Sequence, residues 1–374
     1  MGIKNFNKFL REKSPNVFEK IHLSEYAYKK VAIDISLYLF KFKAVCGDRW
    51  ITAFINLIST LRRNNVHCIF VYDGKSPPEK DDEKAKRRNE KEKLQENVYK
   101  LNDALDNYHR TGVVENILQN LYKNRKKTIS SHKRLLVEEE IDMRWIETKI
   151  EQKNKQLINI NATDFDCTKK LFDILGVPYC TAPAEAEKLC SKLCIDGLVD
   201  GVMSDDTDVI AYGTPVFLTK IDTFGDTCIR ISGESLLSEL KLDRSELLDF
   251  CIMCGTDYNN NIYKVGVHTS YKHILSYKTI ENMEQNTDLD ISVLNHVRVR
   301  ELFTKFDDYD LTYVPYCSRP QFILLDKFSE EHNLDIDMEN IKKNFTYEPI
   351  FESSDNEKMD EDEDYDDDNE KYEN

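Results

Sequence analysis

A chain of 374 residues, 40% hydrophobic and 32% charged, is long enough to bury a sizeable core and polar enough to be globular. Its net charge of −16 is unevenly spread: residues 352–374 hold thirteen acids against two lysines, leaving −5 on residues 1–351, so the acidic tail reads as a solvated, disordered segment that either solubilises or modulates partner binding. Composition also excludes a membrane helix, since no run of 18 apolar residues occurs. The start Met1-Gly2-Ile3-Lys4-Asn5-Phe6 does not read as a secretory leader. Ten scattered cysteines, with Cys251 and Cys254 inside the apolar run Leu247–Cys254, argue for buried thiols in a reducing compartment rather than zinc ligands. An intracellular protein is expected, nuclear if from a cellular eukaryote.

Lys30–Ile33 reads as a buried strand ending at Asp34, followed by an apolar helix over Ser36–Val45 and a second over Trp50–Arg63, whose Ile51, Phe54, Ile55, Ile58 and Leu61 share one face. Cys68–Tyr72 is a second buried strand, ending at Asp73-Gly74. Strand, helix, helix, strand argues for a parallel sheet in an α/β fold. Residues 79–160 are polar and nearly free of Gly and Pro. Leu94, Val98, Leu101, Leu105 and Tyr108 form a narrow heptad seam that Gly112 ends. A short helix over Val113–Tyr122, a basic linker Lys123–Arg134 and a helix from about Leu135 to Leu157 complete a helical excursion with no second globular core. The body resumes with a helix at Asp164–Leu175, a strand at Val177–Cys180 and a helix over Ala184–Cys194 that Pro183 introduces. Gly201–Ser204, Val216–Thr219 and Thr227–Ile231 read as strands, with a short helix over Asp205–Tyr212. Asp243-x-x-Glu246 resembles a capping box for a helix over 244–254, and the chain to about 346 is mainly helical.

Acids gather where these strands end. Asp34 and Asp73 each close a strand, and in an open α/β sheet ligands collect at the carboxyl ends of the strands. Glu185 with Glu187, and Asp206 with Asp208, lie in first turns of helices. Each alone could be a helix cap or a complement to a helix dipole. Together they are the oxygen donors that catch a hard divalent cation, and so many acids at one point would repel one another without cations. The pattern reads as a two-metal phosphodiester-cleaving site, with Asp205 outside the ligand set. Lys80, Lys84, Arg87 and Lys91 recur at i, i+4, i+7 and i+11 as one basic stripe beside it. They either pair with Glu79, Glu83 and Glu90 along the helix or neutralise a bound phosphate.

In order and spacing these motifs resemble the flap endonuclease/XPG (Rad2) family of structure-specific 5′ nucleases. The likeness rests on Met1-Gly2-Ile3 with Phe6 and Leu10, Val31–Ser36, Val71–Pro78 with Lys80 and Arg87, and Gly176–Tyr179 with Ala182–Glu187. It continues through Ser204–Asp208, Ala211–Pro215 and Leu248–Tyr258. The resemblance implies a PIN-like core with a mostly parallel sheet, a long helical arch and a C-terminal helix–two-turn–helix region. The expected divisions are 1–93 and 163–257 for the nuclease core, 94–162 for the arch, 258–346 for the helical DNA-binding region and 352–374 for the tail.

It also implies two Mg²⁺ ions, for which Mn²⁺ can substitute. Asp34, Asp73, Glu185 and Glu187 would serve one, and Asp206, Asp208 and Asp257 the other. Lys80 and Arg87 would be the catalytic cations. Phe40 would stack on a base, its alternative being core packing. Gly2, Lys84, Lys91 and Gly266 would contact nucleic acid, and the linker cations Lys123, Arg125, Lys126, Lys127, Lys133 and Arg134 would either contact flap phosphates or form a solvated, dispensable loop.

The chain departs from the family pattern in three places. Its arch is longer, Lys264-Val265-Gly266-Val267-His268 keeps one glycine of the loop that holds a K⁺ ion, and Gln321-Phe322-Ile323-Leu324 with Lys327-Phe328 is only a partial sliding-clamp peptide, read as structural. The expected function is a monomeric, Mg²⁺-dependent 5′ nuclease acting on DNA flaps, nicks or junctions. The alternatives are a 5′→3′ exonuclease, a junction resolvase of the same family, or a non-catalytic DNA-binding scaffold.

Overall fold

The computed structural model describes residues 2–128 and 141–345, without the side chains of 125–128. A sheet of seven strands organises the body: β1 (Glu19–His22), β2 (Lys30–Asp34), β3 (His67–Tyr72), β4 (Tyr179–Thr181), β5 (Gly201–Met203), β6 (Val216–Asp222) and β7 (Thr227–Ser232). Their order is β1-β7-β6-β5-β2-β3-β4. The five strands from β6 to β4 run parallel, and β7 and β1 add antiparallel pairings at one edge.

Alternation along the central strands feeds two cores. Ala32, Ile69 and Val71 face one layer, while Val31, Ile33, Cys68 and Phe70 face the other. The first layer holds α1 (Phe6–Lys13), α8 (Ala186–Ile195), α11 (Arg244–Cys254), α12 (Val267–Tyr277) and α14 (His296–Thr304). The second holds α2 (Ile35–Cys46), α3 (Trp50–Arg63), α7 (Ala162–Leu175), α15 (Phe322–Glu331) and α16 (Met338–Asn344). The short α9 (Asp208–Ala211), α10 (Gly233–Leu240) and α13 (Ile280–Asn286) complete the body. The capping box at α11 is formed: Glu246 N donates to Asp243 at 2.8 Å, and Asp243 N to Glu246 at 3.1 Å. No helix among the described residues is long and apolar enough to cross a membrane.

Three features differ from the expectation. The arch is α4 (Asp81–Thr111), α5 (Asn116–Thr128) and α6 (Met143–Asn154), and it does bury a small core of its own from Leu101, Ala104, Leu118, Tyr122, Ile146 and Ile150. The heptad seam is its source: Val98 and Leu101 are buried, and α4 packs on both α5 and α6. Next, α5 runs on to Thr128 where a linker was expected, because Lys, Arg and Asn side chains continue a helix at little cost. Lastly, 258–346 is not one unit, since α12–α14 pack near α11 whereas α15 packs on α7 and α16 on α3. The segment between α14 and α15 crosses the starts of β2 and β3: Lys30 Nζ donates to the Val314 carbonyl at 2.6 Å, and Cys317 N donates to His67 at 3.0 Å. In α15, Leu325 and Phe328 are buried, whereas Ile323 and Leu324 are exposed.

Candidate active site

The strand connections diverge on either side of β2, which pairs with β3 on one side and β5 on the other. That is the switch point where an α/β sheet opens a crevice at its carboxyl end. Asp34 is the last residue of β2 and accepts from Ser36 N at 2.8 Å, so it is also the cap of α2. Asp73, just past β3, accepts from Ser36 Oγ at 2.6 Å and from Ala186 N at 2.9 Å, which ties the end of β3 to the first turn of α8. Gly74 allows this close approach, since a Cβ there would sit 2.1 Å from the Ala182 carbonyl oxygen. Glu185, buried, immediately precedes α8 without capping it through its side chain, and Glu187 lies in the first turn. Beyond β5, Asp208 N donates to Asp206 Oδ1 at 2.9 Å, and both acids are buried.

The amino terminus seals this corner. Ile3 N donates to Thr207 Oγ1 at 2.9 Å, and Lys4 N donates to the Gly255 carbonyl at 3.1 Å. Gly2 has φ +80°, and a Cβ on it would lie 2.1 Å from Asp206 Oδ1. Only glycine fits that conformation and that gap. Gly2 thus packs on the acid pair.

Burial and mutual repulsion set the electrostatics. Burial, then the charge of Asp73, pushes the Asp34 carboxyl up to about 8. Burial followed by Asp34 and Asp206 raises Glu187 well above the usual range, and burial followed by Asp206 and Asp257 does the same to Asp208. Two cations answer this charge. Lys80 Nζ lies 2.5 Å from Glu185 and 3.5 Å from Asp257. Burial works against its charge, but Glu187, Glu185 and Asp257 outweigh it and hold the ammonium above its ordinary pKa. Arg87 Nη2 donates to both oxygens of Asp257, at 2.9 and 2.8 Å.

The seven acids therefore meet at one end of the sheet, drawn from the ends of β2, β3, β4 and β5 and from the turn after α11. Among the described residues no three of them are already arranged to hold an ion. Lys80 and Arg87 lie between them instead. The donor chemistry nonetheless fits a hard divalent cation: every candidate ligand is a carboxylate oxygen, and Asp208 Oδ1 is buried with no hydrogen-bond partner among the described residues. Asp205 is held apart, since Lys41 reaches it at 2.6 Å and Thr219 Oγ1 at 2.8 Å; burial opposes its charge, but these contacts bring it down to about 2.

The remaining candidates divide. Phe40 is 46% exposed on α2 while Tyr38 is fully buried, so Phe40 is not a core residue. Within the stripe, Arg87 also pairs with Glu83 at 3.2 Å, so the helical ion pairs form as well. Lys84 is exposed and makes no ion pair among the described residues. Lys91 is engaged otherwise: its amino group donates to the Ile158 carbonyl at 2.9 Å and to Asn159 at 2.7 Å, fastening α4 to the chain that returns from the arch. Gly266 caps α12 with open space around it. Lys123 is exposed on α5, whereas the side chains of Arg125, Lys126 and Lys127, all of Lys133 and Arg134, and the tail 352–374 lie outside the described residues.

Sequence reasoning missed Ser36, which bridges Asp34 and Asp73, and Tyr258, whose hydroxyl donates to Glu185. The available signal was adjacency alone: Ser36 follows Asp34 by two residues and Tyr258 follows Asp257 directly.

Comparison with known proteins agrees with this geometry. The XPG N-terminal domain matches residues 1–94 and the XPG I-region residues 176–257. The protein named Probable RAD2-like endonuclease 369L, of Invertebrate iridescent virus 6, is 32% identical over 382 residues that cover 92% of both chains. Its counterpart 076L of Invertebrate iridescent virus 3 is 35% identical over 329 residues, 81% of this chain and 85% of that one. Flap endonuclease 1 of Cryptosporidium parvum is 27% identical over 81% of this chain and 60% of its own. The fold is shared with the catalytic core of Rad2 in complex with DNA substrate (TM-score 0.61, 20% identity, 92% of this chain and 98% of that one). It is shared too with flap endonuclease-1 from Methanococcus jannaschii (TM-score 0.59, 20% identity, 88% and 96%). With this likeness along nearly its whole length, the chain belongs to the XPG/Rad2 family of nucleases.

Proposed function

We propose that this chain is a structure-specific 5′ nuclease that hydrolyses phosphodiester bonds of DNA at 5′ flaps or 5′ ends during replication and repair. Its cofactors in this reading are two Mg²⁺ ions, with Mn²⁺ able to replace them, and it works inside the cell as a monomer on DNA. The observation that carries it is the convergence of seven acids on the open end of the sheet, one of them with a buried oxygen that no group among the described residues satisfies.

Asp34, Asp73, Glu185 and Glu187 would hold one ion, and Asp206, Asp208 and Asp257 the other. When bound, such ions supply an activated water and stabilise charge on the leaving oxygen. Lys80 and Arg87 offset acids in the resting arrangement, and both stand where a phosphate must enter. Each exchanges a carboxylate partner for phosphate oxygens as substrate arrives, which places positive charge where the transition state accumulates negative charge. Phe40, exposed on α2, offers a face for an unpaired base, and stacking of this kind tolerates any sequence. Lys84 and the cations of α5 and beyond add attraction for backbone phosphates that salt would screen.

The test is a cleavage comparison. A 5′-labelled flap, a nicked duplex and a four-way junction are incubated with the protein, with and without Mg²⁺. Cleavage that needs the metal and favours the flap is expected. Junction preference would move the assignment to a resolvase, and binding without cleavage in Mg²⁺ or Mn²⁺ would contradict the enzyme reading.

A further inference from the structure

The two oxygens of Glu185 are held by different groups. Oε1 accepts from Lys80 Nζ at 2.5 Å, and Oε2 accepts from the hydroxyl of Tyr258. A carboxylate only accepts, so the proton of Tyr258 is committed to Glu185. The hydroxyl of Tyr212, 2.6 Å from that of Tyr258, must then donate to it. The hydrogen bonds run in one direction, from Tyr212 to Tyr258 to Glu185.

Packing fixes this row of groups. Tyr212 and Tyr258 are 2% and 8% exposed. The ring of Phe303, on α14, lies 4.8 Å from that of Tyr212 and 5.2 Å from that of Tyr258. Lys80 Nζ lies over the Tyr258 ring, 5.9 Å from its centre, so Tyr258 stands beside both members of the Lys80–Glu185 pair. The same helix reaches the other side of the pair: Arg298 Nε donates to Glu79 at 2.6 Å, next to Lys80 in the chain. A buried hydroxyl needs some partner, and that alone would explain one hydrogen bond. It does not explain two tyrosines in series that end on an acid of the candidate metal site, braced by a helix that also holds the residue beside its cation.

We propose that Tyr258 is a positioning residue and Tyr212 its support. Together they fix the rotation of the Glu185 carboxylate, so that one oxygen faces Lys80 and the free lone pairs remain available to the ion that Glu185 would help to hold. The inference rests on the metal-dependent reading of the site. Partners that orient a ligand commonly change metal affinity by about 10- to 100-fold when removed.

The experiment uses the full DNA-free chain, with Mn²⁺ as the probe and free Mn²⁺ read by electron paramagnetic resonance. Tyr258→Phe keeps the ring and its packing but frees Oε2, and should weaken Mn²⁺ binding by about tenfold or more. Tyr212→Phe leaves the Tyr258 hydroxyl in place and should weaken binding less. In flap cleavage, the Mg²⁺ concentration giving half-maximal rate should rise for Tyr258→Phe, while the rate at saturating Mg²⁺ largely recovers; a purely structural role would not produce that split. Thermal melting of each variant separates folding from positioning. Mn²⁺ affinity within about twofold of the unsubstituted chain for a folded Tyr258→Phe would overturn the proposal and leave the nuclease reading standing. Should Tyr258→Phe fail to fold, Tyr212→Phe decides: unchanged Mn²⁺ affinity overturns the proposal and reduced affinity at unchanged melting temperature supports it. No Mn²⁺ binding by the unsubstituted chain would overturn both readings.

Discussion

The acid-lined end of the sheet and the arch solve opposite problems. The acid site draws its seven carboxylates from segments between Asp34 and Asp257, and only the parallel topology brings them together. Asp34, Glu185, Asp206 and Asp208 are buried, the acids repel one another, and Lys80 and Arg87 answer part of that charge. The arch is local. Three consecutive helices bury six side chains against one another, and the charge stays on the outside. The site thus depends on the whole fold for its position, whereas the arch has a core of its own, and Lys91 fastens its first helix to the returning chain at Ile158 and Asn159. Damage to the first should abolish chemistry, and damage to the second should alter substrate handling.

The largest effect follows from removing an acid. Asp34→Ala or Asp206→Ala should abolish cleavage while leaving DNA binding intact or tighter. Turnover within about tenfold of the unsubstituted enzyme for both would contradict their role as metal ligands. Next come the cations. Lys80→Ala and Arg87→Ala should each slow single-turnover cleavage by about 10²-fold, as for other electrostatic donors to a transition state. Lys84→Ala, on the same stripe but exposed, should mainly reduce binding and its salt dependence. Equal small losses at all three would reduce the stripe to helical ion pairs. Gly2→Ala is smaller again. It must adopt φ +80° against Asp206, a strain of about 1–3 kcal/mol. It should lower both the melting temperature and the cleavage rate, and an unchanged rate would detach the amino terminus from the site.

The smallest effect on chemistry belongs to the arch. Leu101→Ala empties part of its core, at a cost of about 2–5 kcal/mol. That should expose α4–α6 to limited proteolysis while the body melts at its former temperature and nicked duplex is still cut. A lowered melting temperature of the body would show that the two regions are not independent.

This contrast also explains what the sequence made legible. The central strands were readable because β2 and β3 are continuous apolar runs that end at Asp34 and Asp73. β1 was not, since Glu19–His22 turns only Ile21 inward and borrows its identity from pairing with β7. The acids could be named one by one, but no pattern of spacing could show that Asp73 would accept from Ala186 or that Arg87 would clasp Asp257; those contacts exist only after strands distant in sequence lie side by side. The arch core went unrecognised for a related reason. Leu101 reads as one element of a narrow seam, and its partners Leu118, Ile146 and Ile150 arrive from two further helices. Lys91 had the spacing of a phosphate ligand, yet the return of the chain at Ile158 claimed it.

The central claim, that the clustered acids form a divalent-cation site, is tested most directly by calorimetric titration of Mg²⁺ into the DNA-free protein at pH 7 in two buffers of different ionisation enthalpy. With Asp34 at about 8, well above the ordinary carboxylate value, its carboxyl largely keeps its proton at pH 7, and a metal ion binds only the ionised form. Binding should therefore release protons, affinity should rise with pH, and Asp34→Asn should reduce the proton release, leaving the share that Glu187 and Asp208 contribute. Mg²⁺ binding without proton release, unaffected by Asp34→Asn, would contradict the account.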